Sequence, residues 1–216
     1  MGILFHFAGA ATPTGTPEQQ RLLASALATF AARGYDRASL KQIAAAAHVT
    51  AAMVNYYFDS KEKLFRRVVE DCFVRLHALV EQRTGAHLPF MARITGFVVG
   101  HAELALSSPE AAELLVRTAF RPSDAGDSLV PELMRRHAPL RDKAYEILAA
   151  ACRPKQLLLR APIDLARAAD HLLGQVELML IRQVQRRRFP KAEVPQLSTE
   201  EIVDLFLHGI SHKHSD

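Results

Sequence analysis

The sequence has little cysteine, no tryptophan and no long apolar run. Its 216 residues include two cysteines. Cys72 and Cys152 form no CxxC pair and lie in apolar helical patterns, so we expect buried thiols in a reducing cytoplasm rather than a disulfide or a zinc site. No run of about 18 uncharged apolar residues occurs, as a membrane helix would require. We therefore expect a cytoplasmic protein without membrane contact.

The motifs of several enzyme classes are also missing. A Walker loop, a dinucleotide fingerprint, HExxH and GxSxG do not occur. The acidic residues lack the paired spacing of a di-metal helical bundle. His208, His212 and His214 are interpreted as part of a frayed C-terminal tail rather than as metal ligands. We expect no enzymatic activity, no catalytic residues, and neither a metal nor another cofactor.

Proline is absent between Pro17 and Pro89, which is typical of consecutive helices with short joins. No alternating strand pattern interrupts the apolar periodicity elsewhere. The sequence therefore predicts an all-α fold of about nine helices. The expected helices run from about residue 18 to Gly34, over 40–46 and 51–58, from 61 onward, and over 89–106, 109–120, 128–152 with a kink at Pro139, 162–187 and 199–210.

Basic residues are concentrated in one N-terminal stretch. The formal net charge of the chain is +4. Between residues 18 and 67, eight basic residues face four acidic ones, so this stretch accounts for the whole surplus. Such a surplus allows a polyanionic partner, although it does not by itself demonstrate nucleic-acid binding.

Residues 39–65 carry the pattern of two short helices joined by a tight turn. Ser39 and Thr50 are suitable N-caps for these helices, and Ser60 for the one that follows. The first helix has a face of small and apolar residues, which favours close helix packing. This face comprises Leu40, Ile43, Ala44 and Ala47. The arrangement is typical of a helix-turn-helix, whose second helix enters the major groove of DNA.

The second helix divides into an inner and an outer face. Val54 and Phe58, four residues apart, are expected to pack against the preceding helix. Asn55 can pair with an adenine edge, although a surface asparagine can also be merely solvated. Tyr56 and Tyr57 can reach phosphates and thymine methyls, or can be packing aromatics. The expected DNA contacts are Ser39, Lys41, Thr50, Ala51, Ala52, Asn55, Tyr56, Tyr57 and Lys61, of which Ser39, Thr50 and Lys61 are placed to hold phosphates.

Four segments follow one another in a recognisable order: Thr16-Pro-Glu, Ala-Thr-Phe-Ala-Ala-Arg-Gly-Tyr35, Ser39-Leu-Lys-Gln-Ile-Ala and Val54-Asn-Tyr-Tyr-Phe-Asp-Ser-Lys-Glu-Lys-Leu-Phe65. Over about residues 16–65 this order resembles the TetR family of transcriptional repressors. The resemblance implies a loosely ordered or disordered arm over 1–15, a three-helix DNA-binding domain over 16–62, and a helical effector-binding and dimerisation domain over 63–216. It also implies a palindromic double-stranded DNA operator from which a small molecule releases the protein.

Two positions depart from the family pattern. His48 stands where the family usually has glycine in the turn, which requires either a turn that is not left-handed or some backbone strain. Ala51 and Ala52 stand where many members carry lysine followed by glycine. The second departure removes a phosphate-binding cation, so DNA affinity is expected to depend on Arg37, Lys41 and Lys61.

Polar residues on the apolar helices of the larger domain are candidates for an effector pocket. Each alone is more often a satisfied or surface side chain. The candidates are His77, His101, Tyr145, His171 and Glu177, joined by Phe73 and Phe97, which as apolar companions favour a core over a pocket.

The helices expected near 162–187 and 199–210 carry more apolar surface than an edge helix needs. Leu165, Ala168, Ala169, Leu172, Leu173, Val176, Leu180 and Val184 recur at helical spacing in the first, and Ile202, Leu205, Phe206 and Ile210 in the second. Pairing these helices with their symmetry copies would bury that surface in a homodimer, whose twofold axis would match a palindrome. Two other classes stay open: an enzyme on a helical scaffold, and a helix-turn-helix that binds only proteins.

Overall fold

Nine helices follow one another along the computed structural model, which describes residues 15–120, 130–154 and 156–211. They are α1 (Pro17–Arg37), α2 (Leu40–Ala46), α3 (Ala51–Phe58), α4 (Lys61–Arg83), α5 (Phe90–Ser107), α6 (Pro109–Phe120), α7 (Val130–Cys152), α8 (Leu165–Arg188) and α9 (Thr199–Ile210). An isolated bridge joins Leu159 to Ser211. The predicted all-α fold is confirmed. Residues 1–14 of the predicted arm, the predicted helix start at residue 128, His212 and His214 lie outside the described residues.

Short polar side chains fix the starts of the N-terminal helices. The hydroxyl of Ser39 accepts a hydrogen bond from the Gln42 backbone N–H, and the hydroxyls of Thr50 and Ser60 do the same for residues three positions on. The predicted caps are thereby confirmed. Each such cap stabilises a helix by about 1 kcal/mol, which matters for helices as short as α2 and α3.

The start of α8 differs from the predicted one. The sequence places Pro162 in the first turn, whereas the helix begins at Leu165. The Asp164 carboxylate accepts a hydrogen bond from the Arg167 backbone N–H at 2.8 Å and so caps the helix. The carboxylate provides an acceptor for a first-turn N–H that has no partner within the helix. The helix therefore starts directly after Asp164, three residues later than predicted.

Helix α1 was predicted to end at Gly34, and the structure confirms this prediction only in part. Gly34 has φ 78° and ψ 170°, outside helical space, so the helix is interrupted where the sequence predicts its end. A further short helical segment then continues to Arg37. Glycine adopts a positive φ without the steric penalty that a side chain would bring.

The two cysteines are free thiols in different surroundings. Cys72 is buried, and burial raises the pKa of its thiol to about 12. Cys152 is only half-buried, which is less burial than the sequence predicts. A buried thiol with so high a pKa is an inert packing group.

Helix α4 joins the two parts of the fold as one unbroken helix. Its N-terminal end packs in the small domain, where the Phe65 ring lies 5.0 Å from the rings of Phe30 and Tyr35. Its C-terminal half packs against α5 and α7 in the larger bundle. The predicted domain boundary, between residues 62 and 63, falls in the first turn of this helix. A displacement of α4 within the bundle therefore reaches the small domain directly.

Helices α4 and α5 approach each other closely at two glycines. A Cβ added at Gly96 would overlap the Arg83 carbonyl oxygen, and one at Gly100 would lie 2.9 Å from the Val80 Cα. Both obstacles are backbone atoms of α4 and cannot rotate away. The GxxxG spacing of this segment therefore serves helix packing within the bundle.

We expect Gly96→Ala to destabilise the protein by about 1–3 kcal/mol, because the extra methyl forces α4 and α5 apart. Gly174→Ala is the matched control, since a Cβ at Gly174 in α8 meets nothing within 4 Å of the subunit. The control is expected to gain about 0.5–1 kcal/mol, the usual helix preference for alanine over glycine. Urea unfolding of both variants gives the comparison, and equal effects on the free energy of unfolding would contradict it.

Candidate nucleic-acid interface and effector site

The α2–turn–α3 unit is held to the rest of the small domain by its inner face. Val54 of α3 and Ile43 of α2 are fully buried. The Ser25 hydroxyl of α1 donates a hydrogen bond to the Ile43 carbonyl oxygen at 2.8 Å. Phe58, expected on the same inner face as Val54, is half-buried. One side of α3 is therefore fixed while the other is available to a partner.

The opposite side of α3 faces solvent. Tyr56 is 82% exposed, and Ala52 and Asn55 beside it are exposed as well. The remaining polar candidates in this region, Ser39, Lys41 and Thr50, are also exposed. Most of the side chains expected to contact DNA are thus exposed to solvent.

Three of the expected contacts are engaged within the protein. Tyr57 is half-buried, and its hydroxyl accepts a hydrogen bond from Thr16 Oγ1 at 3.5 Å. Lys61 Nζ donates to the Asp36 carbonyl oxygen at 3.3 Å and lies 4.4 Å from the centre of the Tyr35 ring. Ala51 is half-buried at the start of α3. These residues are less accessible than Tyr56 and Asn55.

His48 adopts the left-handed conformation that its turn requires, with φ 57°. Of the two possibilities left by the sequence, the turn is thus left-handed despite the absence of glycine. Histidine is among the residues that occupy this region more often than most, at a modest energetic cost. The histidine side chain is exposed and obstructs no neighbouring helix.

A second group of polar side chains lies inside the larger bundle. His77 of α4, His101 of α5 and His137 of α7 form what we call the histidine cluster. The Phe73 ring lies 6.1 Å from the His77 ring and 4.9 Å from the His137 ring. His101 is 1% exposed, and its ring lies 4.7 Å from that of Phe97.

Burial governs the ionisation of the histidine cluster. It lowers the pKa of His101 to about 4, against a hydrogen bond to Phe97 that opposes the change, and the nearby His137 and His77 lower this pKa further. Burial also lowers the pKa of His77 and of His137. The three rings are therefore neutral at pH 7.

Glu177 of α8 borders the histidine cluster, with its carboxylate 3.5 Å from His137 Nδ1. Burial raises the pKa of Glu177, while burial lowers that of His137. These directions are opposite to those of a strong ion pair, so burial outweighs the attraction between the two groups.

Among the expected effector residues, the structure brings Phe73, His77, Phe97, His101 and Glu177 into or beside the histidine cluster. Tyr145 is 42% exposed on α7, and His171 is exposed on α8, where its ring stacks on Phe206 at 5.8 Å. His137 was missed because a single histidine in the predicted kinked helix gave no sign of the helices it would face. The described residues hold no group of three or more histidine, cysteine, aspartate or glutamate side chains placed for a metal ion.

The apolar positions expected to pair with a second subunit lie largely inside this one. Ala168, Leu172 and Val176 of α8 and Phe206 of α9 are fully buried. They fill the space between α8, α9 and the helices behind them, so they cannot face a partner. Of the predicted positions, Leu205 is exposed. It lies in a groove between α8 and α9 that also contains Leu178, Leu197, Gln175 and Arg182. We call this groove the α8–α9 face.

No helix within the described ranges is both long and apolar enough to cross a membrane.

Comparison with known proteins shows what the N-terminal part of the chain is similar to. Residues 22–68 match the family model described as bacterial regulatory proteins, tetR family. Over 55 residues the chain is 31% identical to the biofilm operon icaADBC HTH-type negative transcriptional regulator IcaR of Staphylococcus epidermidis. Residues 22–68 thus carry the sequence pattern of the tetR family. The match to IcaR covers 26% of this chain and 30% of that relative, so it speaks for the N-terminal domain.

Solved structures extend the likeness to the whole TetR-family fold. The MbdR regulator from Azoarcus sp. CIB has a TM-score of 0.74 at 18% identity, over 89% of this chain and 98% of that one. FadR from Bacillus subtilis, solved in complex with stearoyl-CoA, has a TM-score of 0.72 at 14% identity, over 89% of this chain and 99% of that one. At such identities the likeness shows the fold alone, including the larger helical bundle that follows residues 22–68.

Proposed function

We propose that this protein is a homodimeric TetR-family repressor that binds a palindromic DNA operator through α3 and leaves it when a small molecule binds the larger bundle. The observation that carries the proposal is the two-sided character of α3. Val54 is fully buried while Tyr56, two residues away, is 82% exposed. A short helix anchored on one face and bare on the other is suited to the major groove.

The exposed residues of α3 offer the chemistry of base readout. Asn55 can donate to and accept from an adenine edge in the major groove, and the Tyr56 ring can contact a thymine methyl. The small side chain of Ala52 allows the helix to approach closely. Ser39 and Thr50, exposed at the N-termini of α2 and α3, can donate to phosphates.

A homodimer is proposed through the α8–α9 face. Leu178, Leu197 and Leu205 are 45%, 36% and 52% exposed, and they lie in one groove. Covering them with the same face of a second subunit gives an isologous interface and a twofold axis. That axis places two copies of α3 on successive major grooves of one side of the duplex.

The effector is proposed to act through α4. His77 lies twelve residues after Phe65 on this helix, which corresponds to about 18 Å along the helix axis. A ligand bound beside His77 shifts α4, and α4 carries Phe65 in the core of the DNA-binding domain. Ligand binding weakens operator binding to the extent that the ligand prefers the shifted conformation. FadR from Bacillus subtilis, a protein of this fold, was solved in complex with stearoyl-CoA. That complex supports the proposal that the larger bundle binds a small molecule.

The test is a mobility shift with DNA from upstream of the chain's own coding region, using wild type and Tyr56→Ala. We expect the variant to bind a palindrome in that DNA at least tenfold more weakly, because one good base contact contributes about 1–3 kcal/mol. Since Tyr56 is 82% exposed, its loss leaves the fold unchanged by circular dichroism.

Tyr145→Ala, on α7 of the larger bundle, is the matched control and is expected to bind as wild type does. The affinity of wild type is also expected to fall steeply with salt, by roughly a thousandfold or more between 50 and 200 mM, if the dimer neutralises six or more phosphates. Equal retardation of random DNA by wild type and Tyr56→Ala would contradict specific readout. A protein-interaction module or an enzyme would not distinguish the palindrome from random DNA, since non-specific binding depends on charge alone.

A further inference from the structure

The ring nitrogens of His101 have distinct and fixed roles. Its Nδ1 lies 2.8 Å from the Phe97 carbonyl oxygen. A carbonyl oxygen only accepts hydrogen bonds, so Nδ1 carries the proton of the neutral ring. The other nitrogen, Nε2, is then a bare acceptor. It is buried and has no hydrogen-bond partner.

His77 repeats this arrangement from the facing helix. A hydrogen bond to the Arg136 backbone raises its pKa against the lowering effect of burial, as donation to a carbonyl does. Its Nε2 is likewise buried without a partner, which leaves Nδ1 as the donor. Two helices thus present unsatisfied acceptors within one cluster, each costly to leave unpaired in a folded protein.

We propose that the histidine cluster binds a mostly apolar small molecule by accepting a hydrogen bond from its hydroxyl or N–H group at Nε2 of His77 or of His101. The proposal rests on the effector binding proposed above and names the class of effector. Phe73 and Phe97, in contact with the rings of the cluster, supply apolar walls for the rest of the molecule. Apolar walls with a few convergent polar atoms are typical of small-molecule sites.

The same geometry disfavours the two other ligand classes. A carboxylate or phosphate needs donors, and a neutral ring whose single proton is committed to a backbone carbonyl has none to give. The Glu177 carboxylate beside His137 would also repel an anion. A metal ion needs several ligands that point at one place, and among the described residues no three histidine, cysteine, aspartate or glutamate side chains, those of the histidine cluster included, are placed to hold one.

The test uses two probes of nearly equal shape, 4-ethylphenol and 4-ethyltoluene, which differ by a hydroxyl in place of a methyl. Isothermal titration calorimetry on the full-length protein without DNA is expected to show about tenfold tighter binding of the phenol. In the double variant His77→Leu/His101→Leu both acceptors are gone, and the two affinities are expected to become equal. Tyr145→Phe, on the exposed side of α7, is expected to keep the preference.

The proposal is overturned if wild type binds both probes equally, if the phenol does not bind, or if the double leucine variant keeps the preference. Any of these results means that an ordered water, or nothing, satisfies the two nitrogens. Far-UV circular dichroism verifies the fold of each variant. The comparison of the two probes on the wild-type protein tests the proposal even if a variant does not fold. A mobility shift without ligand separates this proposal from the proposed function. If the protein binds the operator but shows no preference for the phenol, only the proposed class of effector is contradicted. If it prefers the phenol but does not bind the operator, only the proposed function as a regulator is contradicted.

Discussion

Leu205→Glu is expected to convert the protein to a monomer and to weaken operator binding at least a hundredfold. Leu205 is 52% exposed in the subunit, so the subunit accommodates glutamate in solvent. In the dimer the twofold axis would place two such carboxylates in an apolar interface, where an unpaired buried charge costs several kcal/mol. A monomer has a single α3 and loses the contacts of one half-site. Sedimentation velocity measures the first effect and mobility shift the second.

Leu106→Glu is the matched control for this change. Leu106 is 80% exposed at the end of α5 and does not line the groove of the α8–α9 face. The same substitution there is expected to leave both the dimer and operator binding intact. A dimer that survives Leu205→Glu with full operator affinity would exclude the α8–α9 face as the interface.

Acidification is expected to destabilise the protein through the histidine cluster. The folded-state pKa of His101 is about 4, against 6.5 for an ordinary histidine. The unfolded chain therefore binds the proton more readily than the folded one, so stability is fully present above pH 6.5 and falls as the pH decreases towards 4. A shift of this size corresponds to about 3 kcal/mol at its limit. His77 and His137, whose pKa values burial also lowers, add to the loss in the same direction.

The neighbours of the histidine cluster modify this pH dependence. Burial raises the pKa of Glu177, which acts in the opposite sense, since protonation of that carboxyl relieves a buried charge as the pH falls. Urea unfolding at fixed protein concentration between pH 7.5 and 5 measures the net slope. We expect His101→Leu to flatten the slope and His171→Gln, an exposed histidine on α8, to leave it unchanged. A wild-type stability that rises on acidification would contradict buried neutral histidines.

Local features of the fold could be read from the sequence because they depend on neighbouring residues. Ser39, Thr50 and Ser60 cap the helices that they were predicted to cap, and Val54 is buried as its spacing indicates. The exposed position of Tyr56 follows from the same helical period. These features need only hydrogen bonds and packing within a few turns of chain.

Features that depend on which helices meet could not be read in the same way. Leu172 and Val176 carry an apolar pattern that suits either a subunit core or a dimer interface, and the structure buries them in the core. The partnership of His137 with His77 and His101 requires α7 to lie beside α4 and α5. The sequence predicts that Lys61 binds phosphate, whereas in the structure its ammonium group lies over the Tyr35 ring. Periodicity identifies a buried face without identifying what covers it.

Hydroxyl-radical footprinting of the wild-type protein on its upstream DNA tests the central claim most directly. Two exposed α3 helices related by a twofold axis are expected to protect two patches of backbone on one side of the duplex, centred on a dyad and about 34–36 Å apart or a multiple of that. Asn55→Ala is expected to lose both patches together. Protection of a single patch, protection without a dyad, or an unchanged footprint with Asn55→Ala would contradict the account.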